Sequence, residues 1–374
     1  MDHCDALVVG GGPAGSSCAW ALRRAGIDAV VLDRSRFPRD KVCAGWITPQ
    51  IVESLEIDTR DYQQGRTFQP ITGFRTSRLG PDVLGAGLET RFDGPVSYGI
   101  RRTEFDHYLL ERSGARVRLG ESVETLRRDG GQWIVNDAVR APVLVGAGGH
   151  FCPVARFLNG PIRTEPIVAA QEIEAQVIGA SLAIDGDTPE LFFCPDMRGY
   201  GWCFRKGDYL NVGFGRQDIR RFPAKVRRFA ATLLAMGKIP RDLPDRWHGH
   251  AYLLHGLSPR APVGDGVMLV GDAAGLAYAQ SGEGIRPAVE SGLMAAQTIM
   301  AAGGRYDRAR LEPYAAQLAT RFGASVVGRA ISRALPAAAA RTAAAWLMAS
   351  PLFTRHLLLA NGFLHTQQPA LRLA

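Results

Sequence analysis

The chain has little cysteine: six residues in 374, spread singly and never spaced as C-x-x-C. That scarcity argues against a disulfide framework and a structural zinc site, and we expect no metal. The amino terminus also lacks a secretory leader, so we expect a cytoplasmic protein. With 46% hydrophobic side chains, the chain is long enough for two or three packed domains, which excludes peptide hormones and small disulfide scaffolds.

Long hydrophobic runs are missing as well. The most apolar stretch near the end, residues 346–364, is interrupted by Pro351, Arg355, His356 and Asn361, which is too broken for a membrane-spanning helix. Peripheral contact with a membrane stays open. The formal net charge is +8, but the arginines are scattered and not interleaved with aromatic residues. We therefore expect solvated basic faces and no nucleic-acid partner.

Glycine is abundant, and its first cluster follows directly on a short apolar run. Residues 5–9 read as a buried strand, residues 10–15 as G-x-G-x-x-G, and the residues after them as a helix. A second apolar run, residues 29–32, ends in Asp33, at the spacing where a carboxylate meets the hydroxyls of an adenosine ribose. The pattern predicts a dinucleotide-binding βαβ unit. Gly10 permits the tight turn, Gly12 lets the backbone approach a pyrophosphate, and Gly15 lets the helix pack against the strand.

A second motif far downstream favours FAD over NAD. Residues 266–270 read as a buried strand that runs into Gly271-Asp272, and Gly282-Glu-Gly-Ile285 then opens a long helix over residues 285–302. The Asp272 carboxylate can accept from ribitol hydroxyls, and the helix N–H groups can face a flavin carbonyl that becomes anionic on reduction. Taken alone, Asp272 would read as a helix N-cap. Together with the first motif, it predicts a second contact to FAD.

The two motifs resemble those of the aromatic hydroxylase-like flavoprotein superfamily and, within it, the geranylgeranyl reductase family. The stretches that carry the narrower resemblance are Gly12-Pro-Ala-Gly-Ser-Ser17, Lys41-Val-Cys-Ala-Gly45, Gly199-Tyr-Gly-Trp-Cys-Phe-Arg-Lys-Gly-Asp208 with Asn211-Val-Gly213, and Gly271-Asp-Ala-Ala-Gly275 through Gly282-Glu-Gly-Ile285. Arg102 resembles the superfamily's arginine near the flavin nucleotide. The chain departs from the family pattern at two positions. Gly148 stands in place of the aspartate of the family's Gly-Ala-Asp-Gly motif, and Ala279 stands where the family commonly has a proline.

The resemblance implies non-covalent FAD, held by both motifs and by the loop after Asp33. The predicted cofactor-binding residues are Gly10, Gly12, Pro13, Ala14, Gly15, Asp33, Arg34, Lys41, Cys43, Ala44, Arg102, Gly271, Asp272, Gly282, Gly284 and Ile285. Only one dinucleotide fingerprint is present. NAD(P)H would therefore be a transient electron donor, or a small reduced electron carrier would replace it.

The predicted fold class is α/β (α+β overall), with a Rossmann-like FAD-binding domain, an inserted antiparallel-sheet substrate domain and a helical C-terminal region. We assign residues 1–72, 98–160 and 256–305 to the FAD-binding domain, 73–97 and 161–255 to the substrate domain, and 306–374 to the helical region. The inserted sheet is predicted from strand-like segments near residues 168–177, 190–194, 201–205 and 209–215. An amphipathic helix is predicted over residues 223–236.

Within the inserted sheet, Tyr200, Trp202 and Phe204 occupy alternate positions and should share one face of a strand. They form either an aromatic wall over the flavin or ordinary sheet core, and Tyr200 and Trp202 are catalytic candidates. Arg205 and Lys206 follow them and either receive an anion or are solvated turn residues.

Cys43 and Glu283 are the other catalytic candidates. The thiol of Cys43 either donates a proton and binds substrate or is a small buried hydrophobe. Glu283 either handles a proton at the flavin end or stabilises the first turn of its helix. The histidines, His250 among them, lack the spacing of metal ligands, and we rank them below Glu283.

We predict an FAD-dependent oxidoreductase that reduces carbon–carbon double bonds of a prenyl or similarly apolar substrate by hydride transfer from N5 of reduced flavin. A monooxygenase on the same scaffold is the main alternative. A flavin halogenase, whose Trp-x-Trp-x-Ile-Pro signature is missing, and a non-catalytic FAD redox sensor are less favoured. Apolar helical stretches after residue 305 predict a lid packed on the substrate domain, in preference to a helix on an anionic surface. Its basic residues are Arg329, Arg333, Arg341 and Arg355.

Overall fold

The computed structural model describes residues 1–80, 87–160, 166–179, 181–323 and 337–373. Within these ranges the strands form four sheets, and the mixed α/β class predicted from the sequence is confirmed. Arg329 and Arg333 of the predicted lid lie outside the described residues.

The first large sheet has six strands and is parallel except at one edge. Its strands in spatial order are Val263–Gly264, Val267–Leu269, Val143–Gly146, Ala6–Val9, Ala29–Asp33 and Arg116–Leu119. The inner strands are buried along their whole length, which explains why they read as continuous runs of Val, Leu and Ala. The two strands of the first glycine motif and the one that leads to Gly271 are thereby brought into one sheet.

Two long helices lie together against this sheet: an N-terminal helix, Pro13–Arg24, and a central helix, Ile285–Ala301. They approach so closely that a Cβ at Gly292 would lie 2.2 Å from the carbonyl oxygen of Ala14. Glycine is therefore required at the crossing. The central helix begins at Ile285 as predicted, whereas the N-terminal helix begins at Pro13, inside the first glycine motif and not after it.

The second large sheet has seven strands and faces the ends of the first. In spatial order they are His248–Leu253, Ile167–Gln176, Tyr209–Arg216, Gly199–Lys206, Glu190–Phe193, Gly73–Arg78 and Leu88–Arg91. All four strand-like segments predicted for the inserted sheet are present. Neighbouring strands are antiparallel except for one parallel pair, Gly73–Arg78 with Glu190–Phe193. That pair joins segments more than a hundred residues apart, so no local turn signal marks its direction.

The remaining elements are short strands and peripheral helices. The two small sheets consist of Asp2–His3, Val139–Ala141, Gln132–Val135 and Leu126–Asp129, and of Trp46–Ile47, Ser97–Gly99 and Gln69–Ile71. The remaining α-helices are Pro49–Ser54, Thr59–Tyr62, Arg102–Arg112, Pro153–Asn159, Phe222–Ala235, Arg308–Phe322 and Ala337–Leu347. A 3₁₀ turn covers Gly271–Ala273, and a π-helix covers Phe353–Phe363. Phe222–Ala235 is the helix predicted over residues 223–236.

The C-terminal π-helix packs on the second sheet. The ring of Phe363 lies 5.3 Å from that of Tyr200 and 5.9 Å from that of Phe193, centroid to centroid. The chain beyond it is held by Arg286, whose guanidinium donates to the carbonyl oxygens of His365, Gln368 and Pro369. The described part of the tail is therefore packed, as predicted for a lid.

Arg286 is the second residue of the central helix and is 1% exposed. Its charge is balanced by Glu290, also 1% exposed, at 2.9 Å, and Arg321 donates to the same carboxylate at 2.7 Å. A buried charge of this kind is tolerated because it is paired and its N–H groups are bound. In the part of the chain that the structure describes, none of the helices has the length and hydropathy of a membrane span.

Candidate active site

A cavity of about 280 Å³ runs between the two large sheets, from the first glycine motif to the aromatic face of the second sheet. Most of the predicted cofactor-binding residues line it. They are Gly12, Pro13, Ala14, Asp33, Arg34, Lys41, Cys43, Ala44, Arg102, Asp272, Gly282, Gly284 and Ile285. All four catalytic candidates, Cys43, Tyr200, Trp202 and Glu283, line the same cavity.

Gly10, Gly15 and Gly271 do not line the cavity but lie behind its wall. A Cβ at Gly10 would lie 2.4 Å from the carbonyl oxygen of Ala147, and one at Gly15 would lie 1.8 Å from that of Gly10. Gly271 has φ +58, the left-handed region that favours glycine. These three glycines allow the backbone conformation and the close packing behind the cavity wall, whereas the other predicted residues line the cavity itself.

The N-terminal helix presents free backbone N–H groups to the cavity. Its cap residue, Gly12, makes no side-chain cap hydrogen bond, and Pro13 follows at the first helical position. A Cβ on Gly12 would meet only the Arg39 side chain, at 3.3 Å, so the space before the helix is open. An uncapped helix N-terminus with open space before it suits a diphosphate.

Asp33 lies at the end of its strand with both carboxylate oxygens in use. Oδ2 accepts the N–H of Gly11 at 2.8 Å, and Oδ1 accepts the N–H of Ser35 at 2.8 Å. Each oxygen keeps a second lone pair for a hydroxyl donor. The two backbone bonds hold the carboxylate in place beside the first motif.

Asp272 faces two basic residues across the cavity. His250 Nε2 lies 3.3 Å from Asp272 Oδ2, and Lys41 Nζ lies 2.8 Å from His250 Nε2. Burial works to raise the pKa of Asp272, but the hydrogen bond from His250 and the charges of Lys41 and Arg102 lower it to about 2. Burial lowers the pKa of His250 and brings that of Lys41 to about 8. Asp272 is therefore an anion and His250 neutral at pH 7.

His250, which was not among the predicted site residues, lines the cavity beside Asp272. His250 belongs to the edge strand His248–Leu253, and its approach to Asp272 depends on how that strand pairs with Ile167–Gln176. No motif near residue 250 signals the contact, because the sheet that makes it is assembled from distant segments.

Arg102 is fixed by a bidentate ion pair. Its Nε and Nη2 atoms each lie 2.7 Å from an oxygen of Asp106, which is fully buried and also lies 3.2 Å from Arg39. The Asp106 carboxylate outweighs burial and raises the pKa of Arg102, so the guanidinium stays charged. It brings a permanent positive charge to the wall of the cavity.

The far end of the cavity is aromatic, with Tyr200, Trp202 and Tyr252 in its lining. Trp202 Nε1 donates to Asn211 Oδ1 at 2.7 Å, and Tyr200 Oη donates to the carbonyl oxygen of Ser281 at 2.6 Å. The indole of Trp202 lies over Gly213, where a Cβ would come within 2.0 Å of Cζ2. Both rings are thus held in position by their polar atoms as well as by packing.

Phe204 does not belong to this aromatic wall but to the sheet core, the other role considered for it. It is fully buried and packs edge-on against Trp46, at 6.0 Å between ring centroids. It follows Trp202 at the same face of the strand, but at that point the sheet is covered by residues 46–47 and 97–99. Of the three alternating rings, two face the cavity and one is core.

Lys206 is neither an anion receptor nor a solvated turn residue, the two roles considered for it. Its side chain is fully buried, and Nζ lies 2.5 Å from Glu174 Oε2 and donates to the carbonyl oxygens of Ala44 and Ile100. Arg205 is not a turn residue either: it lies within the strand Gly199–Lys206, and its Nε donates to the carbonyl oxygen of Gly207 in the turn that follows. Lys206 therefore ties the sheet to the loop that carries Cys43.

Glu283 stabilises the first turn of the central helix, one of the two roles considered for it, and also lines the cavity. Its Oε1 accepts the N–H of Arg286 at 2.7 Å, which stabilises the first turn of the central helix. Burial also raises its pKa to about 7, which brings the protonated carboxyl within reach of neutral pH. Burial raises the pKa of Cys43 too, so its thiol stays protonated.

A second cleft, of about 540 Å³, adjoins the cavity and shares Lys41, Cys43 and His250 with it. Arg34 and Arg246 are exposed in its lining, and Glu172 lies buried beside it. Burial raises the pKa of Glu172 to about 7. No sequence motif indicates this cleft, since its residues come from five separate segments.

Comparisons with known proteins identify the family of this chain. The family of the FAD binding domain matches residues 3–330. The chain is 30% identical over 353 residues to a menaquinone reductase from Mycobacterium tuberculosis (86% of this chain, 81% of that protein). It is 30% identical over 316 residues to a geranylgeranyl diphosphate reductase from Rhodobacter capsulatus (79% of this chain, 75% of that protein). The crystal structure of a geranylgeranyl bacteriochlorophyll reductase-like protein from Thermoplasma acidophilum superimposes with a TM-score of 0.77 at 20% identity, covering 98% of each chain.

The chain belongs to the FAD-dependent oxidoreductases of the geranylgeranyl reductase family. The resemblance predicted from the glycine motifs is thereby confirmed, and FAD is its cofactor.

Proposed function

We propose that this enzyme reduces carbon–carbon double bonds of a prenyl chain or a similarly apolar compound. The observation that carries the proposal is the aromatic end of the cavity, where Tyr200, Trp202 and Tyr252 line the space next to Glu283. The relatives named above are reductases of geranylgeranyl diphosphate and of menaquinone, both of which carry prenyl chains. An apolar chain gains free energy by leaving water for such a surface.

The described residues fit FAD along the whole cavity. The open N-terminus of the N-terminal helix suits the diphosphate, Asp33 suits the adenosine ribose, and Asp272 suits the ribitol hydroxyls. When bound and reduced, FAD supplies a hydride from N5 to one carbon of the double bond.

The chain's own residues would hold the substrate and manage the proton. Tyr200 and Trp202 are fixed by hydrogen bonds and present a rigid apolar surface that excludes water. Glu283, with its pKa near 7, holds a proton at its carboxyl beside that surface and releases it to the second carbon. Cys43, with a protonated thiol in the same cavity, is the alternative donor.

We propose NAD(P)H as the electron donor and the second cleft as the place where it binds. The cleft meets the cofactor cavity at Cys43 and His250, and the exposed guanidinium groups of Arg34 and Arg246 suit phosphates. Arg246→Glu is expected to slow anaerobic reduction of bound FAD by NADPH at least about tenfold, with reduction by dithionite unchanged. Reduction by a small carrier protein alone would contradict the proposal.

The reaction is tested by single turnover without oxygen. Enzyme-bound FAD reduced by dithionite should be reoxidised by a polyprenyl diphosphate or a prenylated quinone, and each reduced bond should make the product heavier by two hydrogens. A saturated chain of equal length is the control and should leave the flavin reduced. Labelled oxygen in the product, with no anaerobic turnover across a panel of prenyl compounds, would instead establish a monooxygenase.

A further inference from the structure

Asn211 lies inside the second sheet, on the face that carries Trp202. It stands directly opposite Glu174 on one neighbouring strand and Phe204 on the other, and side chains directly opposite each other point to the same face. Its side chain is fully buried and does not line the cavity. Any part that Asn211 has in the reaction is therefore exerted through the side chains and the loop that it contacts.

Three neighbours determine how the amide of Asn211 is oriented. Its Oδ1 accepts from Trp202 Nε1 at 2.7 Å, and its Nδ2 donates to the carbonyl oxygen of Cys43 and to Glu174 Oε2, each at 3.3 Å. Burial acts to raise the pKa of Glu174, but the charge of Lys206 lowers it, so the carboxyl is ionised. An indole N–H can only donate, whereas a carbonyl and an ionised carboxylate can only accept. No other side chain of this size offers one acceptor and two donors in this arrangement.

The amide thereby links two walls of the cavity. Trp202 belongs to the aromatic wall, and Cys43 belongs to the loop over residues 41–45, which lines the cavity on the cofactor side. The same loop lies close against the sheet, because Lys206 Nζ donates to the carbonyl oxygen of Ala44 and a Cβ at Gly45 would lie 2.8 Å from that Nζ. The loop is therefore held in place, and the hydrogen bonds of Asn211 hold the indole relative to it.

We propose that Asn211 is a positioning residue, which sets the spacing between the Trp202 indole and the Cys43 loop. It thereby sets the spacing between a substrate that lies on the indole and the cofactor that the loop contacts. The inference rests on the proposed function, in which hydride crosses this space, and a misplacement of about 1 Å can cost about a hundredfold in rate. Asn211 then affects the rate of hydride transfer and not the affinity for FAD, because its side chain does not line the cavity.

The experiment compares the FAD-loaded wild type with Asn211→Leu, Trp202→Phe and the double variant. Leucine is similar in size to asparagine and removes all three hydrogen bonds. In anaerobic single turnover with a polyprenyl diphosphate, Asn211→Leu should lower the limiting rate at least about tenfold, with the half-saturating substrate concentration and the Kd for FAD within about twofold. Adding Asn211→Leu to Trp202→Phe should lower the rate by less than about a further twofold, because phenylalanine has no N–H for Asn211 to hold.

Flavin fluorescence gives a second measurement that does not depend on turnover. An indole close to an excited flavin quenches its fluorescence by electron transfer, and the rate of that transfer falls steeply with distance. The fluorescence lifetime of bound, oxidised FAD should therefore lengthen in Asn211→Leu, as it should in Trp202→Phe. The double variant should have the lifetime of Trp202→Phe.

Thr76→Val is the matched control, because it removes a buried hydrogen bond elsewhere in the same sheet, from Thr76 Oγ1 to the carbonyl oxygen of Leu88. It should leave the rate and the lifetime within about twofold. The inference is wrong if Asn211→Leu keeps the wild-type rate and lifetime, slows the reaction equally when residue 202 is phenylalanine, or loses FAD.

Two further outcomes separate this inference from the proposed function. If Asn211→Leu does not fold, Trp202→Phe decides, and a wild-type rate and lifetime in that variant would refute the positioning role. A wild-type enzyme that no prenyl compound reoxidises would refute the proposed function, and the fluorescence lifetimes would still test the spacing.

Discussion

Replacing Glu283 by glutamine removes an ionisable group from the cavity wall and keeps its size and its acceptor oxygen for the N–H of Arg286. In the folded chain, burial raises the pKa of Glu283 from 4.5 to about 7, so folding favours the neutral carboxyl. The unfolded chain ionises above about pH 4.5, and this group therefore lowers the free energy of unfolding as pH rises from about 4.5 to about 7. At ~1.36 kcal/mol per pKa unit, the loss reaches about 3 kcal/mol above pH 7.

Glu283→Gln should consequently be more stable than wild type by about 3 kcal/mol at pH 8 and by less than about 1 kcal/mol at pH 5. Urea unfolding of the FAD-loaded protein at both pH values measures the difference. Glu111→Gln, at a largely exposed position, is the matched control and should change stability little at either pH. Equal stabilisation at pH 5 and pH 8, or none at pH 8, would refute the reasoning.

The same variant tests the catalytic role. If Glu283 supplies the proton, the wild-type single-turnover rate should fall about tenfold per pH unit above pH 7, and Glu283→Gln should be slower by about 10² to 10⁴. The variant should also lose that pH dependence. An unchanged rate would show that the proton comes from elsewhere, and Cys43→Ala would then carry the defect.

Three other substitutions test the cofactor site, the aromatic wall and the tail. Gly12→Val should abolish FAD binding and leave circular dichroism nearly unchanged, because the new side chain meets only Arg39 and otherwise enters the cavity; full flavin occupancy would show that the phosphates bind elsewhere. Trp202→Ala should slow prenyl reduction by at least about tenfold and leave FAD binding within about twofold, since Trp202 lies at the far end of the cavity; equal losses would remove it from the substrate wall. Glu290→Gln should lower the free energy of unfolding by about 3–5 kcal/mol, since it strands the buried Arg286; Glu312→Gln, in an exposed pair, is the control and should cost under about 1 kcal/mol.

Local patterns predicted the cofactor half of the site well. The strand, glycine turn and helix over residues 5–24 are contiguous, and their apolar runs are continuous because parallel strands are covered on both sides. The predicted central helix, residues 285–302, ends within one residue of the observed Ile285–Ala301. Contacts between residues that are close in the sequence can therefore be predicted from the residue types alone.

Contacts made across distant strands were not predictable in this way. Lys206, for which the sequence suggested an anion receptor or a solvated turn residue, is instead buried and paired with Glu174, because nothing near residue 206 shows that the strand enters a covered sheet. His250 meets Asp272 only through the pairing of an edge strand with Ile167–Gln176. The pKa of Glu172 is likewise raised by burial, and that burial depends on contacts with segments far away in the sequence.

The contact of Trp202 with Gly213 sets the depth of the apolar end of the cavity. Gly213 is not among the residues that line the space, yet the indole rests on it so closely that one methyl group would raise the ring. A relative with alanine at this position would have a shallower pocket floor and would accept thinner or shorter chains at the reacting end. Residue 213 would then determine which chain lengths the enzyme accepts, although it does not contact the substrate.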